Sequence, residues 1–79
     1  MSKWDKLINK LMSLSKDMRF LELVKILEFY GYQSYQPKNG SSHYVFRKTG
    51  KPSITIPKHE PIKVCYVLMV KKIVMEENE

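Results

Sequence analysis

Apolar residues recur along this chain with two different periods, and the change between them falls at Gly31. In "KWDKLINKLMSL", Trp4, Leu7, Ile8, Leu11 and Met12 stand at i, i+3, i+4, i+7 and i+8, one stripe of a helix of about three turns. "SLSKD" then interrupts: Ser15 and Asp17 suit helix caps better than helix interiors. A second helix follows, with Phe20, Leu23, Val24, Leu27 and Tyr30 on its apolar stripe. Ile26 and Phe29 widen that stripe, so the helix is expected to be well buried. Gly31 stands where a left-handed residue closes a helix.

Beyond Gly31 the period shortens. "YQSYQ" alternates loosely, "HYVFRK" is rich in strand formers, and "PSITIP" reads as a strand bounded by prolines. The breaks "PKNGSS" and "KTGKP" carry turn residues, with Asn39-Gly40 and Gly50 able to take positive φ. Three short strands in a meander are the economical arrangement. After "IPKHEP" the chain turns helical again, Pro61 fitting a first helical turn. Ile62, Cys65, Tyr66, Met69 and Ile73 form the expected core stripe of this last helix, with Cys65 as a small buried hydrophobe. A second apolar set, Val64, Val67, Leu68, Val74 and Met75, makes the helix apolar nearly all round and predicts a partner surface. The order is therefore α-α-β-β-β-α, an α+β fold in which a small antiparallel sheet leans on helices.

Alternation sorts "HYVFRK" into two faces. Tyr44 and Phe46 should join Ile54 and Ile56 in the core. His43, Val45, Arg47 and Thr55 then stand on the open face, which no helix covers. A slip of one residue would reverse that assignment.

Size and charge narrow the picture. Seventy-nine residues make one domain with a small core. No run approaches the roughly 18 apolar residues of a membrane span. The charged start "MSKWDKLINK" lacks a signal peptide's apolar stretch, and the lone Cys65 suggests no disulfide chemistry, so a cytoplasmic protein is expected. Fourteen Lys and Arg against eight Asp and Glu give +6, and three of the acids lie in the final "EENE". A body that basic attracts polyanions.

An accessible imidazole at His43 can take or give a proton. RNA carries its own nucleophile, the 2′-hydroxyl, so a base and nearby cations suffice for strand cleavage. Lys38, Arg47, Lys48, Lys51 and Lys58 are the cations within reach, and Ser41 and Ser42 can hydrogen-bond phosphate or simply shape the turn. His59, between Lys58 and Glu60, suits capping or anion contact better than catalysis. Two histidines and one cysteine at these spacings make no zinc motif, and the three glycines make no phosphate loop. No cofactor is expected.

"RFLELVKILEFYGY", "GSSHYVFRK" and "ITIPKHEPIK" resemble, in order and spacing, the HicA-type mRNA-interferase toxins of bacterial toxin–antitoxin systems. That family has a Gly-Ser-His or Ser-Ser-His sequence leading an aromatic strand and an Ile-Pro-x-His near the last helix. The likeness spans about residues 19–73, with residues 1–15 resembling the extra helix of longer members and 76–79 forming an acidic tail. It implies a double-stranded-RNA-binding-domain-like fold, metal-free mRNA cleavage with His43 catalytic, and a HicB-type antitoxin covering the site. Val64, Val67 and Leu68 are the expected antitoxin contacts. One departure is Ser41, which intervenes between Gly40 and Ser42 where many members have glycine directly before the serine. Two other readings compete: a non-catalytic RNA-binding module of double-stranded-RNA-binding-domain type, and a structural partner whose last helix is its interface.

Overall fold

The computed structural model describes residues 2–36, 43–60 and 62–77. Its elements are α1 (Lys3–Met12), α2 (Phe20–Phe29), β1 (Gln33–Tyr35), β2 (His43–Arg47), β3 (Ile54–Pro57) and α3 (Val64–Glu77). The three strands form one antiparallel meander in the order β1-β2-β3. The α-α-β-β-β-α order read from hydrophobic periodicity is the observed one.

Local chemistry sets the helix ends. The Ser2 hydroxyl accepts from the Asp5 amide at 3.1 Å and caps α1. Neither Ser15 nor Asp17 caps α2. That helix starts after Arg19, whose amide donates to Glu22 Oε1 at 2.8 Å. Arg19 has no side-chain acceptor with which to complete a reciprocal box. Ser15 instead closes a local turn, accepting from the Asp17 amide at 3.1 Å.

Both N-terminal helices end in the same way. At Gly31, φ is +95°; its amide bonds the Glu28 carbonyl and the Tyr32 amide bonds that of Leu27, a Schellman arrangement. α1 repeats this with Leu14 at φ +54°, the amides of Leu14 and Ser15 bonding the carbonyls of Leu11 and Lys10. A leucine there accepts backbone strain, offset by its packing against the core.

The core lies between the helices and one face of the sheet. Phe46, Leu23, Ile26, Leu27, Ile56, Leu11 and Met18 are fully buried. Phe20 packs on Tyr44 and Phe46, with ring centroids 4.9 and 6.2 Å apart. Strand alternation thus falls as expected: Phe46, Ile54 and Ile56 are buried and Tyr44 half-buried, while His43, Arg47 and Thr55 are exposed.

Two helix faces differ from the sequence reading. Phe29 is 66% exposed. At 100° per residue it lies roughly 130° from the centre of the buried arc of α2, where Trp4 and Tyr30 stack on it. In α3 the buried stripe is Val67, Val70 and Val74. That is one residue later than the expected Tyr66, Met69 and Ile73, of which Met69 is exposed and the others half-buried. Cys65 is an exposed free thiol rather than a core residue. A helix apolar on all sides gives its periodicity little contrast, so one step of 100° could not be read from it. The acids Glu76 and Glu77 are the end of α3 rather than a separate tail. Among the described residues no helix is long and apolar enough to cross a membrane.

Candidate RNA-cleavage site

His43 opens β2 and is paired in register with Pro57, the last residue of β3. Paired Cα atoms in an antiparallel ladder lie about 5 Å apart, so whatever follows Pro57 is delivered close to His43. The chain then turns sharply: the His59 amide donates to the Pro57 carbonyl at 2.9 Å. Two anchors hold the turn on the far side. Glu60 Oε1 accepts from the Phe20 amide at 3.3 Å, placing a carboxylate at the positive end of α2. The Ile62 amide donates to the Met18 carbonyl at 3.4 Å, and the Ile62 side chain is buried.

These constraints build a cleft of about 340 Å³ lined by His43, Pro57, His59, Ile62, Lys63 and Tyr66. That volume lies at the small end of ligand clefts. Its floor is apolar and its rim carries two imidazoles and one ammonium. His43 and His59 are both exposed. Lys63 immediately precedes α3, whose first turn is closed by the Tyr66 and Val67 amides donating to the Lys63 carbonyl. The arrangement offers proton transfer and anion binding side by side.

The other cations expected near His43 are dispersed. Arg47 shares the open face but stands four residues along β2, about 13 Å away at strand rise. Its guanidinium lies 5.8 Å from the centroid of the Tyr35 ring. With Lys51, Thr49 and Ser53 it lines a separate groove of about 380 Å³ at the opposite end of the sheet. Arg47 and His43 thus line different grooves.

Lys48 also lines the Arg47 groove, but its Nζ pairs with Glu77 Oε1 at 2.8 Å and lies 5.7 Å from the Tyr32 ring centroid. Lys58 is exposed and does not line the histidine cleft; Lys63 takes the place expected of it. Lys38, Ser41 and Ser42 lie outside the described residues.

Of the expected antitoxin contacts, Val67 is fully buried and has no surface to offer, whereas Val64 and Leu68 are 40% and 38% exposed. His59 and Lys63 are the site residues that sequence reasoning undervalued. The signal for them was the Pro57 pairing, which needs the strand register to be known. Among the described residues no three His, Cys, Asp or Glu side chains form a metal-ligating group.

Burial pushes the Glu22 carboxyl up, but hydrogen bonds from Lys10 and the Arg19 amide, with the charges of both residues, outweigh it and leave Glu22 below the usual carboxylate range. The Lys48 hydrogen bond likewise lowers Glu77, and burial raises the Tyr32 phenol.

Compared with protein-family models, curated proteins and solved structures, the chain has no significant match.

Proposed function

We propose that this protein is a metal-independent RNA endonuclease, an mRNA interferase of the HicA type, on a fold resembling the double-stranded-RNA-binding domain. The observation that carries the reading is an exposed histidine at the lip of a small cleft that also holds a lysine, on a chain of net charge +6. His43 takes the proton from a ribose 2′-hydroxyl, and Lys63 faces the charge that gathers on the phosphorane oxygens. Arg47 and Lys51 serve a neighbouring part of the same strand, holding backbone and stacking rather than meeting the scissile phosphate. The toxin reading brings with it a cytoplasmic setting and a HicB-type antitoxin, whose seat on α3 includes Val64 and Leu68.

The test is turnover of purified protein on RNA in excess chelator. Wild-type protein shortens the RNA, and His43→Ala does not while keeping its circular dichroism spectrum. Undiminished cleavage by His43→Ala removes His43 from the chemistry. A second reading, non-catalytic RNA binding, is favoured by the Arg47–Tyr35 groove, which can hold phosphate and base with no reaction at all. A shifted but intact RNA band from wild-type protein selects it.

A further inference from the structure

An in-line displacement at phosphorus places the attacking and departing oxygens on opposite sides of the reacting atom. One imidazole that takes the 2′-hydroxyl proton therefore does not stand where the 5′-oxygen leaves. A second proton-transfer group is needed in the same cleft, and the structure brings one there from a different segment. His59 reaches the cleft from the turn after β3, while His43 reaches it from the start of β2.

Resting on the endonuclease reading above, we infer that His59 is the general acid of the reaction and that the substrate is a single-stranded stretch of RNA threaded between the two histidines. The step balances as follows. The 2′-oxygen gives its proton to His43 and bonds to phosphorus; the P–O5′ bond breaks as His59 donates its proton to the departing 5′-oxygen. The products are a 2′,3′-cyclic phosphate and a 5′-hydroxyl, with no co-reactant consumed. Lys63 neutralises the non-bridging oxygens from the rim.

Three features make His59 a built part of this cleft rather than a passing surface residue. Its amide is tied to the Pro57 carbonyl at 2.9 Å, and Pro57 is the register partner of His43. The next residue, Glu60, is fixed to the start of α2. Ile62 then buries its side chain beneath the cleft. The backbone on both sides of His59 is therefore held, and the residue lines a space of about 340 Å³. That space admits one linkage and its flanking sugar, but a duplex would have to stand outside it. A strand without 2′-hydroxyls binds and is not cut.

The experiment compares ordinary RNA with RNA carrying sulfur in place of the 5′-bridging oxygen at one linkage, because a thiolate leaves without needing a proton. His59→Gln is expected to cut ordinary RNA at least about 100-fold more slowly than wild type, and the sulfur-bridged linkage within about tenfold of the wild-type rate. His43→Ala is expected to fail on both. If His59→Gln cuts ordinary RNA at the wild-type rate, or stays slow on the sulfur-bridged linkage, His59 is not the acid, while an inactive His43→Ala leaves the endonuclease reading standing. If wild-type protein cuts neither RNA, or His43→Ala cuts both, the endonuclease reading itself falls. His59→Asn is the second variant, and wild-type protein alone carries the test should neither fold. Comparable wild-type rates on the two linkages support an acid in place, and a large preference for the thiolate overturns it.

Discussion

Lys48 Nζ lies 2.8 Å from Glu77 Oε1, so the residue that follows β2 is fastened to the final turn of α3. The pair spans 29 residues and closes the chain's last helix over the end of the sheet. It also takes one ammonium out of the cation set available to a polyanion. Glu77→Gln is expected to lower stability while increasing RNA affinity at low salt, because Lys48 is released. Denaturant midpoints and salt-dependent binding check both halves, and unchanged affinity would show that Lys48 is not near the bound strand.

Acid should loosen the same molecule from two places. Glu22 and Glu77 both titrate below the usual carboxylate range when folded. Their stabilisation is fully present above the unfolded carboxylate value of about 4.3 and is lost as pH falls through the lower folded values. Tyr32, raised by burial, acts at the other extreme: its contribution holds below about 10 and is lost as pH rises through its folded value. Thermal midpoints measured against pH should fall on the acid side, less steeply in Glu22→Gln than in wild type. Equal slopes would remove Glu22 from the account.

The turn at Gly31 gives a backbone prediction. A Cβ there would meet Lys48 side-chain atoms no closer than 3.5 Å, so space is not the difficulty. With φ at +95°, the cost of Gly31→Ala is conformational, about 1–2 kcal/mol. Chemical denaturation should show a lower midpoint with an unchanged slope.

α3 separates core from surface in a single pair of variants. Val67→Asp places a charge in a fully buried position and should consume most of the roughly 5–15 kcal/mol that small domains possess, leaving little folded protein. Leu68→Asp, one residue on and 38% exposed, should fold normally and weaken only the proposed antitoxin contact. Circular dichroism and co-purification with a HicB-type antitoxin, the proposed partner, distinguish the two effects.

Arg47 and Lys51 should report on the bound strand. Each alanine variant is expected to reduce the slope of log affinity against log salt by roughly 0.7 for a single strand. Lys48→Ala should reduce it less, since its ammonium is already paired. Equal effects from all three would mean that the Glu77 pair opens on binding.

The strands and their facing were legible because Tyr44, Phe46, Ile54 and Ile56 alternate with His43, Arg47 and Thr55, Val45 being the apolar exception, and one face of this sheet is buried. The first two helices were legible for a similar reason, apart from Phe29, whose aromatic character outweighed its poor angular position. α3 was not, since valines and methionines on every side allow any rotation and only packing against α1 and α2 chooses one. For the site, sequence placed His43 correctly on the exposed face but grouped cations by proximity along the chain. Strand geometry separates what such grouping joins: Arg47 is four residues from His43 yet about 13 Å away. Lys63 is twenty positions beyond His43 and shares its cleft. The end of α1 was legible in the break after Met12, but its left-handed closing residue, Leu14, was not, since that conformation usually falls to glycine.

The hydrogen bond from the Phe20 amide to Glu60 joins residues 40 positions apart. Until the ribosome has released the segment carrying Glu60 and Ile62, the amide of Phe20 lacks its distant acceptor and His59 has no fixed seat. The cleft therefore cannot form before the segment carrying Glu60 and Ile62 has left the ribosome, and a chain truncated before Glu60 lacks both anchors of the turn that seats His59.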